Sequence, residues 1–223
     1  MKLKIMALLF LSSGALAAEN QLSNISTVAG ESLLISSEFY GYTLSQGDSR
    51  YADVVDLDGL DWVFWYGEHR FTAKQGVDLI SDVQMMGEYE LKNEKPAHGN
   101  EYYWEGGSSK DYLDESNHAI YAKPGGGFSF QVKPGKSGDF RLDLYTHNWL
   151  SASEFTACLN EECVTIDNFY PTSIATTQNS VQFTTESDAD ILTIQLAFKP
   201  DQFGWSQNDG YLSLEAINLS EGK

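Results

Sequence analysis

The chain of 223 residues is 42% hydrophobic and 21% charged, which excludes a disordered, collagenous or low-complexity protein. Its formal net charge is −18, with 14 Lys and Arg against 32 Asp and Glu. That balance argues against nucleic acid and anionic lipid surfaces as partners, because both need a basic footprint.

The first residues have three parts. Lys2 and Lys4 form a charged start, Ile5 to Leu11 an apolar run, and Ala15-Leu16-Ala17 a small-x-small cleavage signal. This is the pattern of a secretory signal peptide. The run is too short to span a bilayer, which needs roughly 20 residues. Cleavage after Ala17 leaves residues 18–223 as one exported domain, with its core at about 25–219, in the periplasm or the medium. The first cysteine is Cys158, so none sits at the cleavage site for lipid attachment.

Further along, hydrophobic periodicity is mostly two rather than 3.6. Residues 30–46 read as a short helix or an additional strand. Strand-like runs follow at 52–57 and at Asp61-Trp-Val-Phe-Trp-Tyr66. In the second run Trp62, Phe64 and Tyr66 share one face, and Val63 and Trp65 the other. Aromatics on both faces imply a strand buried on both sides, or an edge shared with another protein. Residues 84–101 are polar and irregular and read as a long loop.

Phe128, Phe130 and Val132 alternate with polar neighbours, as do Phe140, Leu142 and Leu144. Leu192 to Phe198 and Tyr211 to Leu219 complete the set. Glycine-rich turns separate the runs, at 105–107, 124–127, 134–138 and 208–210. Many short strands with such turns describe an all-β chain, an antiparallel β-sandwich or jelly roll. Cys158 and Cys163 lie in two alternating runs joined by a tight turn, where an oxidising compartment favours a disulfide.

Catalytic signatures are missing. There is no H-E-x-x-H, no G-x-S-x-G, no complete phosphate-binding loop and no D-x-D-x-D-G calcium loop. The expectation is that the chain is not an enzyme. Aromatics, at 13%, are abundant. Sugar rings present flat C–H faces that pack on aromatic rings, while amides and carboxylates bond the hydroxyls. Three segments have that composition. Tyr102, Tyr103 and Trp104 follow the polar stretch. His147, Asn148 and Trp149 follow an alternating strand and read as a loop. Trp205 sits in a polar segment before the last strand. For a cation, Asp56 and Asp58 with Glu215 form a candidate calcium set, since calcium takes scattered oxygens.

One group of proteins shares the order of landmarks from Val55 to Leu219. These are Asp61-Trp62-x-x-Trp65-x-Gly67, Lys74, Ile80-Ser81, Tyr103-Trp104-Glu105-Gly106, Gly126 to Phe130, Arg141 to Tyr145 with Trp149, and the closing strand Leu212 to Leu219. The chain resembles bacterial secreted modules with a galactose-binding-like jelly-roll fold. The resemblance implies a β-sandwich whose last strand returns beside an early one. It carries no defined activity. Galactose-binding-like domains commonly bind glycans and often hold a structural calcium. Together these readings give the expectation of an exported, non-catalytic module that binds a polysaccharide or cell-surface glycan. The alternative is a protein-interaction or structural module of the bacterial envelope or extracellular matrix.

Overall fold

A computed structural model describes residues 23–42, 54–65, 71–87, 89–92, 100–109, 119–169, 174–200 and 210–222. The export signal at 1–17 and Trp205 lie outside these. Among the described residues sixteen strands occur, in chain order β1 (Ser23–Ala29), β2 (Leu33–Tyr42), β3 (Val54–Leu57), β4 (Asp61–Trp65), β5 (Phe71–Ala73), β6 (Gln84–Met86), β7 (Tyr89–Lys92), β8 (Glu101–Trp104), β9 (Ala119–Ala122), β10 (Gly127–Val132), β11 (Gly138–Trp149), β12 (Ser151–Leu159), β13 (Glu162–Asn168), β14 (Ile174–Thr185), β15 (Leu192–Pro200) and β16 (Tyr211–Glu221).

The strands form an antiparallel β-sandwich. One sheet runs β1-β2-β14-β11-β16-β4-β5, with β9 also on β16 and β7 on β9. The other runs β13-β12-β15-β10-β6. The closing strand β16 lies beside the early strand β4, pairing Ala216 to Leu219 with Phe64 to Asp61. The alternating runs make the core. Phe128, Phe130, Val132, Phe155, Leu192, Ile194 and Leu196 face Phe140, Leu142, Leu144, Val181, Ile217 and Leu219, all buried. Fully burying such a side chain is worth about 1.5–3 kcal/mol, and β-branched and aromatic residues suit the pleat.

A third, two-stranded piece departs from the antiparallel pattern, because β3 and β8 pair in parallel. Val55, Leu57, Tyr102 and Trp104 from this ribbon pack with Trp62, Phe64, Tyr145 and Ala216 on the outer face of the large sheet. The ribbon is why β4 carries aromatics on both faces. Trp62 and Phe64 meet the ribbon, whereas Val63 and Trp65 pack against the inter-sheet core.

Of the two readings of residues 30–46, the strand holds, over 33–42. One sequence expectation changes. The stretch expected as a long loop from 84 holds two short strands, β6 and β7. Both are short, and β6 is the last strand of its sheet, so an apolar alternation is not required of it.

The disulfide Cys158–Cys163 is present, bridging directly opposed residues of β12 and β13. Beside it, the Glu162 carboxylate accepts hydrogen bonds from the backbone N–H groups of Glu31 and Ser32 in the turn between β1 and β2. The hairpin therefore ties one sheet to the other. The double substitution Cys158→Ala and Cys163→Ala should cost about 2 kcal/mol, the loop-entropy value for so short a ring. Urea unfolding checks it. A loss near zero would mean that the hairpin is held by its strand pairing alone.

Candidate functional site

β4 begins at a buried carboxylate. Asp61 is 2% exposed. Its Oδ1 accepts from the Trp62 N–H at 2.9 Å. Its Oδ2 accepts from Leu79 and Ile80 at 2.8 and 2.9 Å. A buried charge is tolerated only with such partners. These bonds fix the segment 79–80 against β4. Ser81 continues the anchoring, since its N–H donates to the Gln131 carbonyl and its Oγ accepts from the Gln131 N–H, both at 2.9 Å.

The pinned segment forms one wall of a cleft of about 670 Å³ at the edge of the sandwich. The other wall is the inner face of β4 and β5, where Trp65 and Phe71 are paired across the strands. Phe71 is 53% exposed, unusual for so large an apolar ring. Val63, Val83, Met85 and Ile120 line the interior, and Ser81, Asp78, Asp82 and Gln84 the remainder. A half-open aromatic pair beside planar polar groups is an arrangement that suits a sugar ring. Sequence reading did not assemble this site, because no residue pattern shows that 77–85 folds back beside β4 and β5. The landmark Ile80-Ser81, downstream of Asp61-Trp62-x-x-Trp65, was the signal available.

The expected binding residues fall elsewhere. Tyr102 and Trp104 are corrected to core, at 0% and 4% exposure on the side of the parallel ribbon that faces the large sheet. Tyr103 is half-buried and donates its hydroxyl to Glu101 Oε1 at 2.9 Å. His147, Asn148 and Trp149 are not in a loop, because β11 continues through them. Alternation then separates the trio. His147 and Trp149 share the outer face with Tyr211, at ring distances of 6.0 and 5.5 Å. Asn148 points inward and donates to Ser151 Oγ at 3.1 Å. His147 and Asn148 are each 1% exposed, so the expected clamp does not form.

The candidate calcium set is also dispersed. Asp56 and Asp58 are exposed, while Glu215 is completely buried. Among the described residues no group of three or more His, Cys, Asp or Glu is placed to hold a metal ion.

Glu215 owes its position to a β-bulge. Tyr145 pairs with Ala216 and Thr146 with Leu214, so Glu215 is the extra residue of β16. Its Oε2 accepts from the Tyr102 hydroxyl at 2.6 Å and from the Asn100 N–H at 3.4 Å. Oε1 has no hydrogen-bond partner among the described residues. Burial pushes the carboxyl up from 4.5 to about 7, against the opposing hydrogen bonds from Tyr102 and Asn100.

No protein-family model matches the chain, and no curated protein matches it. Among solved structures, the chain is similar to the carbohydrate-binding module TmCBM61 in complex with β-1,4-galactotriose. The TM-score is 0.39 and the identity 11%, over 64% of this chain and 90% of that one. It is also similar to Xyl-CBM35 in complex with a glucuronic acid-containing disaccharide. There the TM-score is 0.35 and the identity 10%, over 67% and 92%. Likeness of this degree bears on neither ligand nor site.

The buried glutamic acid sets a pH dependence. Its folded-state affinity for the proton exceeds that of the unfolded chain, so its contribution is fully present below about pH 4.5 and lost as pH rises through about 7. The total is on the order of 3 kcal/mol. Wild-type stability in urea should therefore fall between pH 5 and 8 more steeply than that of Glu215→Gln, which keeps the shape without the charge. Parallel curves for the two proteins would contradict the assignment.

Proposed function

We propose that this chain is an exported, non-catalytic glycan-binding module, and that a glycan sits in the edge cleft against Trp65 and Phe71. The observation that carries the reading is the half-open aromatic pair on the inner face of β4 and β5. Phe71 leaves more than half of its surface in water although the ring is apolar. Covering it with a sugar face recovers that surface. Trp65 extends the platform inward, and Asp78, Asp82 and Gln84 supply acceptors and donors for hydroxyl groups. Export rests on the charged start, apolar run and cleavage signal of the first seventeen residues.

The walls suit binding without large rearrangement. Three backbone N–H groups hold Asp61, and the Gln131 backbone holds Ser81, so one wall is fixed before a ligand arrives. A site held this way loses little entropy on binding.

Calorimetric titration with a panel of neutral, amino and acidic oligosaccharides tests the proposal. At least one class should bind to the wild type. Phe71→Ala should weaken it about fivefold, the value of one aromatic stack near 1 kcal/mol, with an unchanged unfolding midpoint because the ring is outside the core. No saccharide binding, or binding indifferent to Phe71→Ala, would contradict the proposal.

A further inference from the structure

We infer that the glycan taken by this cleft is cationic, an amino sugar with a free ammonium group, rather than a uronate or a sulfated sugar. The inference rests on the glycan reading of the same site and specifies its ligand class. The described lining residues include three carboxylates, Asp61, Asp78 and Asp82, and no Lys, Arg or His. The three differ in use. Asp61 is buried, with both oxygens engaged by backbone N–H groups. Asp78 and Asp82 are exposed. They bracket the segment Leu79–Ser81, whose backbone is bonded to Asp61 and to Gln131. Two carboxyl groups are therefore held on a fixed wall, opposite two aromatic rings.

That arrangement complements one kind of ligand. The C–H face of a sugar covers an aromatic ring, and an ammonium group on the same sugar is attracted by carboxylates and by the ring faces. Among the described lining residues a uronate or sulfate would meet only like charge. The chain as a whole adds to this, since a formal net charge of −18 repels polyanions and draws polycations toward the surface.

The test compares three probes on the full chain at about pH 5.5, where a sugar ammonium is charged and an ordinary exposed carboxylate is ionised. These are a β-1,4-linked glucosamine oligomer, its N-acetylated counterpart of equal length and a galacturonate oligomer. The free-amine oligomer should bind about tenfold more tightly than the N-acetylated one, the combined effect of two rim ion pairs. Raising the salt to about 0.5 M should shrink that ratio. The double substitution Asp78→Asn and Asp82→Asn should close the gap between the two probes while the unfolding midpoint stays the same. The galacturonate oligomer should be the weakest of the three. Equal binding of the amine and N-acetyl forms would overturn the inference, as would a gap that survives in the double variant. If neutral sugars still bind and lose affinity in Phe71→Ala, the glycan reading stands and the cationic ligand alone falls. If no sugar of any class binds, both fall. A lysine-rich peptide binding as tightly as the amine oligomer, with the same dependence on Asp78 and Asp82, would show that the cleft reads charge without the sugar ring, and would also overturn it.

Discussion

The carboxylate of Asp61 is the constraint on which the candidate site depends. It lies at the first residue of β4 and binds backbone groups eighteen and nineteen residues away. Those bonds tie the wall at 79–83 to β4, while the Gln131 backbone holds Ser81 from the other side. The entrance to β4 is fixed equally closely. Gly59 lies so near β16 that a Cβ there would fall 2.1 Å from the Leu219 carbonyl oxygen. The Lys74 ammonium donates to the Gly59 carbonyl. Asp61, Lys74, Ile80 and Ser81, scattered in the chain, are thus one mechanical assembly around the start of a single strand.

β4 also explains how two packed regions share one sheet. Alternation sends Trp62 and Phe64 to the parallel ribbon and Val63 and Trp65 to the sandwich interior. The outer cluster is rich in aromatic contacts, with Phe64 at 4.8 Å from Trp104 and 5.1 Å from Tyr102. Trp65 is different because β5 is the last strand on this side and the small opposing sheet ends at β6. The interior opens there, and an apolar ring is left half covered. The cleft is the consequence of two sheets of unequal width meeting at an edge.

The strands that were legible in the sequence are those with apolar inner faces, such as β10, β15 and the first half of β11. Legibility failed where the interior turns polar. At one end of the sandwich the space between the sheets is filled by Ser37, Thr146, Asn148, Ser153, Asn168, Thr177 and Asn179, all buried. Asn179 accepts from Ser37 at 2.6 Å, and Asn168 reaches Ser37, Ser153 and Asn179. Strands lined by such residues lose the hydrophobic period of two although the backbone stays extended. That is why His147 to Trp149 reads as a loop and why β14 leaves so weak a trace. Double burial of β4 was legible, because aromatics occupied both faces. The cleft was not, since the fold-back of its second wall rests on backbone hydrogen bonds to Asp61, which leave no residue pattern.

The central claim is that ligand meets the edge cleft rather than the aromatic face around Trp149 and Tyr211. Chemical-shift mapping during a glucosamine-oligomer titration tests it most directly. The account predicts that the Trp65 indole N–H and the amides of β5 and residues 78–84 shift together, while the Trp149 indole stays in place. Shifts concentrated at Trp149, Tyr211 and His147, with the Trp65 signals unchanged, would contradict it.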